Sequence, residues 1–370
     1  MEVLVGPKTQ SRVGRSMRLA IFGLTVTSSW GNGHATIWRA LCEALAKLGH
    51  RVTFFERDVS YYATHRDLHG PRSYDVVLYS SWKDVEPFAR KVLSESDSGI
   101  VTSYCPDAIA ACDLVLESNV SVRVFYDLDT PVTLQSLRQS GRVDYIPPYG
   151  LGPFDLVLSY AGGRAVEQLR QKLGANRVAA LYGSVNPEVH QPVAAIGKYV
   201  SDLSYLGTYA DDRQPSLERL FLEPARRSPK QKFLIGGALY PEDFPWRENV
   251  WFVHHVPPGS HASFYSSSRL TLSVTRAAMA EMGYCPSGRL FEAAACETPV
   301  VTDRWDGLAT FFEPGREILV ASSASDVVDG LAMSAEELHR IGMAARERVL
   351  AEHTSQCRGK QLIDLLEVSA

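Results

Sequence analysis

Apolar residues in this chain form short continuous runs, separated by segments in which they recur at helical intervals. The first run, residues 17–23 (MRLAIFG), ends in glycine and is typical of a parallel strand buried on both faces. Residues 35–49 follow, with apolar side chains at positions 37, 41, 45 and 48 and a terminating glycine, which predicts a helix. A second run lies at 51–56. This strand–helix–strand order predicts a parallel, doubly wound sheet.

Similar runs continue along the chain in two series. The first series adds predicted strands at 75–80, 99–104, 122–127, 155–160 and 178–183. The second series predicts strands at 202–209, 231–237, 250–256, 269–275, 299–303 and 317–322. Between the series, residues 184–195 are punctuated by proline and asparagine, which indicates a boundary between two α/β domains.

Three other segments differ in composition from the alternating strands and helices. Residues 57–74 are rich in tyrosine, histidine and charge and are predicted to form a functional loop. Residues 334–368 are predicted to be helical, with a capping box at Ser334 and Glu337 and a break around 352–354. Residues 1–16 are basic without an apolar core, so they predict a disordered extension rather than a secretory signal. We therefore predict domains at 17–185 and 186–350, followed by a final helical segment at 351–370.

Composition excludes several classes of protein. A net charge of −4, spread along the chain, creates no positive electrostatic potential that would attract nucleic acid or an anionic membrane. No apolar run approaches the length of a membrane-spanning helix. The six cysteines show no metal-binding spacing and mostly have apolar neighbours. These features predict a cytoplasmic protein, a monomer or homodimer, that does not bind nucleic acid.

Residues 287–302 (SGRLFEAAACETPVVT) combine a loop, a short helix, a turn and a buried strand. Glu292 lies in a helix that is otherwise apolar enough to be buried, where an unpaired carboxylate is strongly unfavourable. One interpretation is a solvated face, or an ion pair with Arg289 three residues earlier on the same helix. The other is a carboxylate that binds a ligand.

This segment resembles the nucleotide-sugar-binding segment of GT-B glycosyltransferases of group 1, G-x-x-x-x-E-A-x-A-C-G-x-P-V-V. Within that fold it is similar to the bacterial CgeB-like (spore maturation protein) branch, whose next conserved segment, G-L-x-x-x-F-x-x-G-x-E-I, matches residues 307–318 (GLATFFEPGREI). The resemblance implies two Rossmann-like domains facing a cleft, with acceptor bound by the first, donor by the second, and the last helix returning to the first. It also implies a hexosyltransferase that uses a nucleotide-sugar donor and a small-molecule or glycan acceptor, without metal or other cofactor.

Two positions depart from the family pattern. Retaining members of the fold often have a second glutamate where this chain has Tyr284, so the stereochemistry of the reaction stays open. The usual glycine after Ala-Cys is Glu297, which would cost about 1 kcal/mol if the backbone there is left-handed.

The resemblance implies a donor site in the second domain. Glu292 is expected to accept hydrogen bonds from the ribose, and the helix N-terminus before it is expected to face the diphosphate. Arginine suits phosphate because it binds bidentately. The other expected donor contacts are Gly207, Thr208, Arg276, Ser287, Gly288 and Arg289 for the diphosphate, His255 and Val256 for the base, and Trp305, Asp306 and Gly307 for the sugar.

The first domain carries the candidates for proton transfer. His34, in WGNGHAT, begins a helix after a loop that is similar to the G-G-x-G-H loop of inverting GT-B enzymes, so it is a candidate base. Trp30 and Asn32 of the same loop are expected to contact the acceptor. Asp129 is a second candidate base, or orients His34, and Asp127 is expected to bind the acceptor or to cap the next helix. Their Asp-x-Asp spelling matches a metal motif, but we interpret the match as accidental.

Other functions stay open. An NAD-dependent oxidoreductase would also begin with this unit, and Glu56 ends the second strand where a ribose-binding acid would lie, although the glycines do not match G-x-G-x-x-G. A sugar-nucleotide epimerase, or a non-catalytic protein that binds sugar nucleotides, would share the donor site.

Overall fold

The computed structural model of the protein describes residues 15–70 and 72–370. Within these residues all thirteen predicted strands are present, and they form two parallel sheets flanked by helices. Most of the extension predicted at 1–16 lies outside the described residues. None of the helices in the described part combines the length and apolar character needed to cross a membrane.

The first sheet has seven strands in the order β3-β2-β1-β4-β5-β6-β7. Its strands are β1 (Arg18–Gly23), β2 (Arg51–Arg57), β3 (Asp75–Tyr79), β4 (Ser98–Thr102), β5 (Val122–Asp127), β6 (Leu156–Ser159) and β7 (Val178–Ala180). Its helices are α1 (His34–Lys47), α2 (Ser60–Ala63), α3 (Trp82–Ser94), α4 (Ala108–Glu117), α5 (Thr130–Ser140) and α6 (Arg164–Leu173). The apolar runs become strands because helices cover both faces of the sheet.

The second sheet has six strands in the order β10-β9-β8-β11-β12-β13. Its strands are β8 (Ser201–Leu206), β9 (Phe233–Gly237), β10 (Val250–His254), β11 (Ser268–Ser273), β12 (Val300–Thr302) and β13 (Leu319–Val320). The helices that follow β8 are α7 (Gln214–Leu217), α8 (Glu223–Arg227), α9 (His261–Ser266), α10 (Ala277–Met282), α11 (Gly288–Ala295), α12 (Leu308–Phe311), α13 (Ala324–Ala332), α14 (Ala335–Glu352) and α15 (Ser355–Glu367). A π-helical turn, Glu218–Leu222, joins α7 and α8.

The strand order reverses once in each sheet, between β1 and β4 in the first and between β8 and β11 in the second. Open parallel sheets bind ligands beyond the carboxyl ends of the strands at such points, because the loops diverge there and leave a crevice. The loops after β1, β4, β8 and β11 therefore define where a site can form.

Helix α15 packs on the first domain although it follows the second in sequence. Leu362, Ile363 and Leu366 belong to the same buried cluster as Trp38 and Leu41 of α1. Burying a leucine or isoleucine contributes about 1.5–3 kcal/mol relative to leaving it exposed, so this contact is a substantial part of the first core.

The chain passes between the domains twice, and the two passages are bonded to each other. The Val185 N–H donates to the His353 carbonyl at 3.1 Å, and the Ser355 N–H donates to the Val185 carbonyl at 2.8 Å. The buried Arg358 donates to the Gly183 carbonyl at 3.2 Å and to His353 Nδ1 at 2.8 Å. The break predicted around 352–354 is therefore the second passage.

Local details differ from prediction at two places and agree at two others. The segment 57–74, predicted to be a loop, contains the short helix α2, and α10 was not predicted. The capping box of Ser334 and Glu337 is present. Glu297 has φ of 59°, so the backbone is left-handed there, and its carboxylate lies 3.4 Å from Arg346.

We predict that His353 makes the protein sensitive to mild acid. Burial, and then the charge of Arg358, lowers the pKa of His353 from 6.5 to about 4. The folded state therefore binds fewer protons than the unfolded state between these values, and stability falls as the pH falls from 6.5 towards 4. Between pH 7 and pH 5 the loss from this residue is about 2 kcal/mol.

Replacing His353→Gln keeps an acceptor for Arg358 and removes the titration. When unfolding in urea is measured at pH 7 and at pH 5, the free energy of unfolding should fall less for this variant than for the wild type. The exposed His339→Gln is the matched control and should keep the wild-type pH dependence. Equal losses in all three proteins would contradict the assignment.

Candidate functional site

The carboxyl ends of the two sheets face each other across a cleft, and contacts bridge it. The ring of Trp30, from the loop after β1, lies 4.7 Å from the ring of His255, which follows β10. The Gly162 N–H donates to the Tyr284 carbonyl at 2.8 Å. The cleft is therefore lined by loops of both domains.

His34 and Asp129, the two candidate bases predicted from the sequence, are in direct contact. His34 Nε2 lies 2.7 Å from Asp129 Oδ2, and the side chains are 9% and 23% exposed. Asp129 also accepts a hydrogen bond from Ser103 Oγ at 3.1 Å. An ionised carboxylate only accepts, so it places the imidazole proton on Nε2. His34 Nδ1, which has no partner among the described residues, then has a free lone pair.

Asp127 and Asn32, expected to contact the acceptor, are hydrogen-bonded to the loops around this pair. Asp127 is fully buried, and its Oδ1 accepts from the Asp129 N–H and from Thr133 Oγ1, each at 3.0 Å. Burial, and then the charge of Asp129, raises the pKa of Asp127 from 3.8 to about 7. The Asn32 amide bonds to the carbonyls of the preceding loop and to the Ala35 N–H. Both side chains thus hold the loops that carry His34 and Asp129, and their contact with an acceptor stays a prediction.

The Glu56 carboxylate is hydrogen-bonded to the loop that carries Trp30 and His34. Its carboxylate accepts from Thr25 Oγ1 at 2.9 Å, from the Val26 N–H at 2.6 Å and from the Thr27 N–H at 2.9 Å. It is buried, so it is not available to bind a ribose as an oxidoreductase would require. This geometry argues against the dinucleotide alternative.

Across the cleft, three arginines converge beside the loop after β8. Burial lowers the pKa of Arg213, and the nearby charges of Arg289 and Arg276 lower it further. Arg276 pairs with Asp212 at 3.0 Å, whereas Arg213 and Arg289 have no carboxylate within 4 Å among the described residues. Sequence analysis identified Arg276 and Arg289 but missed Arg213, which lies seven positions beyond the end of β8.

Gly207 allows this cluster to form. A Cβ at this position would lie 2.8 Å from Tyr205 Oη and 3.3 Å from an Arg289 guanidinium nitrogen. The Arg213 guanidinium donates to the Thr208 carbonyl at 3.1 Å, which fixes the same loop. Glycine therefore leaves room for Tyr205 and the Arg289 guanidinium beside the backbone at the switch point of the second sheet.

The N-terminus of α11 points to the same place. Ser287 is its N-cap residue and makes no side-chain capping bond, so its side chain leaves the N–H groups of Gly288 and Arg289 uncapped. A Cβ on Gly288 would meet only Tyr160 Oη, at 3.9 Å. Unpaired guanidinium groups, free N–H groups and the positive end of a helix together form a site for a polyanion.

Glu292, on the next turn of α11, lies among residues that the sequence did not suggest. Its Oε2 accepts from Tyr265 Oη at 3.4 Å and lies 3.6 Å from His261 Nδ1 and 4.0 Å from His190 Nε2. Burial alone would raise the pKa of Glu292, but His190, His261 and Arg289 outweigh it and lower the pKa. The carboxylate is therefore ionised at neutral pH. The pair with Arg289 is not formed within 4 Å.

The residues expected near the sugar lie after β12. Trp305 is buried and its Nε1 has no partner in the described part of the chain. Asp306 lies 3.7 Å from Arg164 of the first domain. Gly307 has φ of 91°, and a Cβ there would lie 2.5 Å from the Tyr284 ring, so only glycine fits beside this tyrosine.

The two residues expected near the nucleobase differ in how far their side chains are exposed. His255 is half-buried against Trp30, with φ of 51°. The Val256 side chain is buried in the second core, so only its backbone is available, and its carbonyl contacts His261 Nε2 at 3.2 Å.

Comparisons with known proteins agree with this architecture. Residues 213–364 match the family described as Glycosyl transferase-like. Sucrose-phosphate synthase from Thermosynechococcus elongatus superposes with a TM-score of 0.66 at 16% identity, covering 95% of this chain and 98% of the other. The chain has the GT-B fold.

Two further GT-B structures are similar over the same extent. HepE from Anabaena, in complex with UDP-glucose, has a TM-score of 0.66 at 11% identity and covers 95% of this chain and all of its own. An alpha-glucosyltransferase in complex with UDP-glucose and DNA has a TM-score of 0.66 at 13% identity, with 95% and 100% coverage. No curated protein matches the sequence.

We predict that Arg213 contributes to a polyanion site. Inorganic pyrophosphate should bind to the wild type in calorimetry, and Arg213→Gln should weaken it by about 1.5–3 kcal/mol, the range for a hydrogen bond to a charged group. Arg316→Gln, which removes an exposed arginine paired with Glu313, is the control and should leave binding unchanged. Equal affinities for wild type and Arg213→Gln, with the fold intact by circular dichroism, would exclude Arg213 from the site.

Proposed function

We propose that this protein is a glycosyltransferase that moves a sugar from a nucleotide-sugar donor to a hydroxyl of a small-molecule or glycan acceptor. The observation that carries the proposal is the pairing of two unlike sites across one cleft. The second domain presents Arg213, Arg289 and the α11 N-terminus beside Glu292. The first domain presents the His34–Asp129 pair.

The donor is proposed to bind as follows. Its diphosphate lies against the arginines and the first turn of α11, and its ribose donates hydrogen bonds to Glu292. A UDP-sugar is the first donor to test, since HepE was crystallised with UDP-glucose. We further propose a hexosyl donor, the CgeB-like branch and a cytoplasmic location, which the resemblance of residues 307–318 and the six free cysteines support.

The reaction proposed for this cleft balances as a single displacement. The acceptor hydroxyl gives its proton to His34 Nδ1, and its oxygen forms a bond to the anomeric carbon. The bond from that carbon to the diphosphate oxygen breaks, and the nucleoside diphosphate leaves with the electron pair. Asp129 orients the imidazole and stabilises the imidazolium that forms. A base opposite the leaving group favours inversion of configuration.

We propose that transfer requires no metal ion. The charge that develops on the departing diphosphate is stabilised by Arg213, Arg289 and the dipole of α11, which are preorganised in the structure. Activity should survive EDTA. Full loss of activity that Mn²⁺ restores would reverse this part of the proposal.

One set of assays separates the proposal from its alternatives. A thermal-shift screen with UDP, GDP, ADP, dTDP and their sugars identifies the donor, because a ligand at 100 times its Kd stabilises by about 2.7 kcal/mol. Nucleotide release that depends on an acceptor supports transfer. Isomerisation of the donor without acceptor indicates an epimerase, and binding without turnover indicates a non-catalytic protein.

Glu292→Gln tests the donor site. The variant should fold and should bind the nucleotide more weakly by about 1.5–3 kcal/mol, because the ribose hydroxyls lose a charged acceptor. Calorimetry with the nucleoside diphosphate found in the screen measures the change. Glu313→Gln, at an exposed position on the same domain, should bind as the wild type does. Unchanged affinity in Glu292→Gln would remove Glu292 from the donor site.

His34→Ala tests the base. Turnover should fall by about 10²–10⁴, the usual contribution of a general base, while nucleotide affinity stays unchanged because His34 lies in the other domain. Asp129→Asn should also lower turnover, since it no longer holds the proton on Nε2. A fall of less than tenfold in His34→Ala would transfer the role to Asp129 or to the departing phosphate, and the latter would favour retention.

A further inference from the structure

Three potential metal ligands from distant parts of the chain meet beside the donor site. His190 lies in the connection between the domains, His261 begins α9 and Glu292 lies within α11. One nitrogen of each histidine and one carboxylate oxygen of Glu292 all lie within 4.8 Å of one another. The side chains are only 11%, 16% and 15% exposed, respectively.

The hydrogen bonds around His261 determine which way its lone pair points. Its Nε2 lies 3.2 Å from the Val256 carbonyl, which can only accept, so Nε2 carries the proton. In its neutral form the ring therefore presents the Nδ1 lone pair, and Nδ1 lies 3.6 Å from Glu292 Oε2, beyond hydrogen-bond distance, with no partner among the described residues. A metal ion between these two atoms would bond to both. A backbone carbonyl on the far nitrogen is also the usual support of a metal-bound histidine.

His190 adds a second unsatisfied ligand. The residue is 9% exposed, and neither ring nitrogen has a hydrogen-bond partner in the part of the chain that the structure describes. Its Nε2 lies 4.0 Å from Glu292 Oε2. A buried imidazole without partners is unfavourable, and a metal ion would satisfy it.

The ligand set selects the kind of ion. Two imidazole nitrogens and one carboxylate oxygen suit Zn²⁺, whereas Mg²⁺ and Ca²⁺ prefer sets of oxygen ligands. Bonds of 2.0–2.1 Å in a tetrahedron place neighbouring ligand atoms about 3.4 Å apart. The three atoms lie within 4.8 Å of one another, so each distance has to shorten by no more than about 1.4 Å to reach that spacing. Three protein ligands leave one coordination position open.

We propose that His190, His261 and Glu292 form a Zn²⁺ site and that bound zinc excludes the nucleotide donor. The exclusion rests on the proposed function, because it requires that Glu292 receives the ribose. Zinc on Glu292 Oε2 takes acceptor positions from the ribose hydroxyls, withdraws charge from the carboxylate and fills the space between Glu292 and the two histidines. Zinc therefore acts as a competitive inhibitor of an enzyme that needs no metal for transfer.

Zinc binding is measured first, without any nucleotide. The full chain is stripped with EDTA, desalted and titrated with ZnCl₂ against a fluorescent zinc chelator. One equivalent should bind, and His190→Ala and His261→Ala should each weaken binding by at least tenfold. His339→Ala, at an exposed position on α14, is the matched control and should bind zinc as the wild type does. Equal affinity in all four proteins would overturn the site.

A spectroscopic measurement with milder substitutions tests the site if the alanine variants fold poorly. Co²⁺ at this site should give the visible absorption of a four-coordinate ion in the wild type and His339→Ala, and one equivalent of Zn²⁺ should abolish it. His190→Gln and His261→Gln, which are milder than the alanine changes, should lack the absorption. The same absorption in both glutamine variants would also overturn the site.

Competition is measured with the nucleoside diphosphate that stabilises the chain most in the screen above. Its apparent Kd should rise in proportion to the zinc concentration once zinc exceeds its own Kd. An unchanged or lower apparent Kd would overturn the exclusion. If no nucleotide binds to the stripped protein, the proposed function fails, while the zinc titration still decides the metal site on its own.

Discussion

The buried guanidinium of Arg358 ties together the two places where the chain passes between the domains. It bonds to Gly183 in the first passage and to His353 in the second, and the two passages also bond to each other at Val185. Desolvating a guanidinium is expensive, and here carbonyl and imidazole acceptors offset that cost. The result is a fixed junction on one side of the molecule. This junction fixes the orientation of one sheet relative to the other, so the carboxyl ends of both sheets face the same cleft.

The two walls of the cleft differ in their chemistry, and each is incomplete without a ligand. In the second domain, Arg213 and Arg289 have no carboxylate within 4 Å among residues 15–70 and 72–370. In the first domain, one nitrogen of His34 is bonded to Asp129 and the other has no partner within the same residues. In a folded protein most buried polar groups have hydrogen-bond partners. Where several buried groups without partners converge from different elements, those residue types serve ligand binding rather than stability.

The fold was predictable because burial dictates it locally. Each parallel strand is covered on both faces, so its run of apolar residues is visible in the sequence, and all thirteen were found. Candidate site residues could be named from the sequence where a side chain closely follows a strand or a glycine loop, as His34, Asp129 and Arg276 do, or where a motif carries them, as with Arg289 and Glu292. Arg213 lies further from its strand, and His190 meets His261 and Glu292 only through tertiary packing. Asp127 and Asn32 were assigned to the acceptor, and the structure shows that both are also hydrogen-bonded within their own loops, which the sequence does not reveal.

The position of α15 also bears on how the protein is made. The face of α1 that carries Trp38 and Leu41 is covered by residues that the ribosome adds only after the whole second domain. The first domain therefore emerges with part of its core open, and closing it requires a contact across more than 300 residues, which is slow to form. During synthesis this apolar face is exposed to chaperones and to other chains. The core of the first domain is thus completed only once α15 has been synthesised.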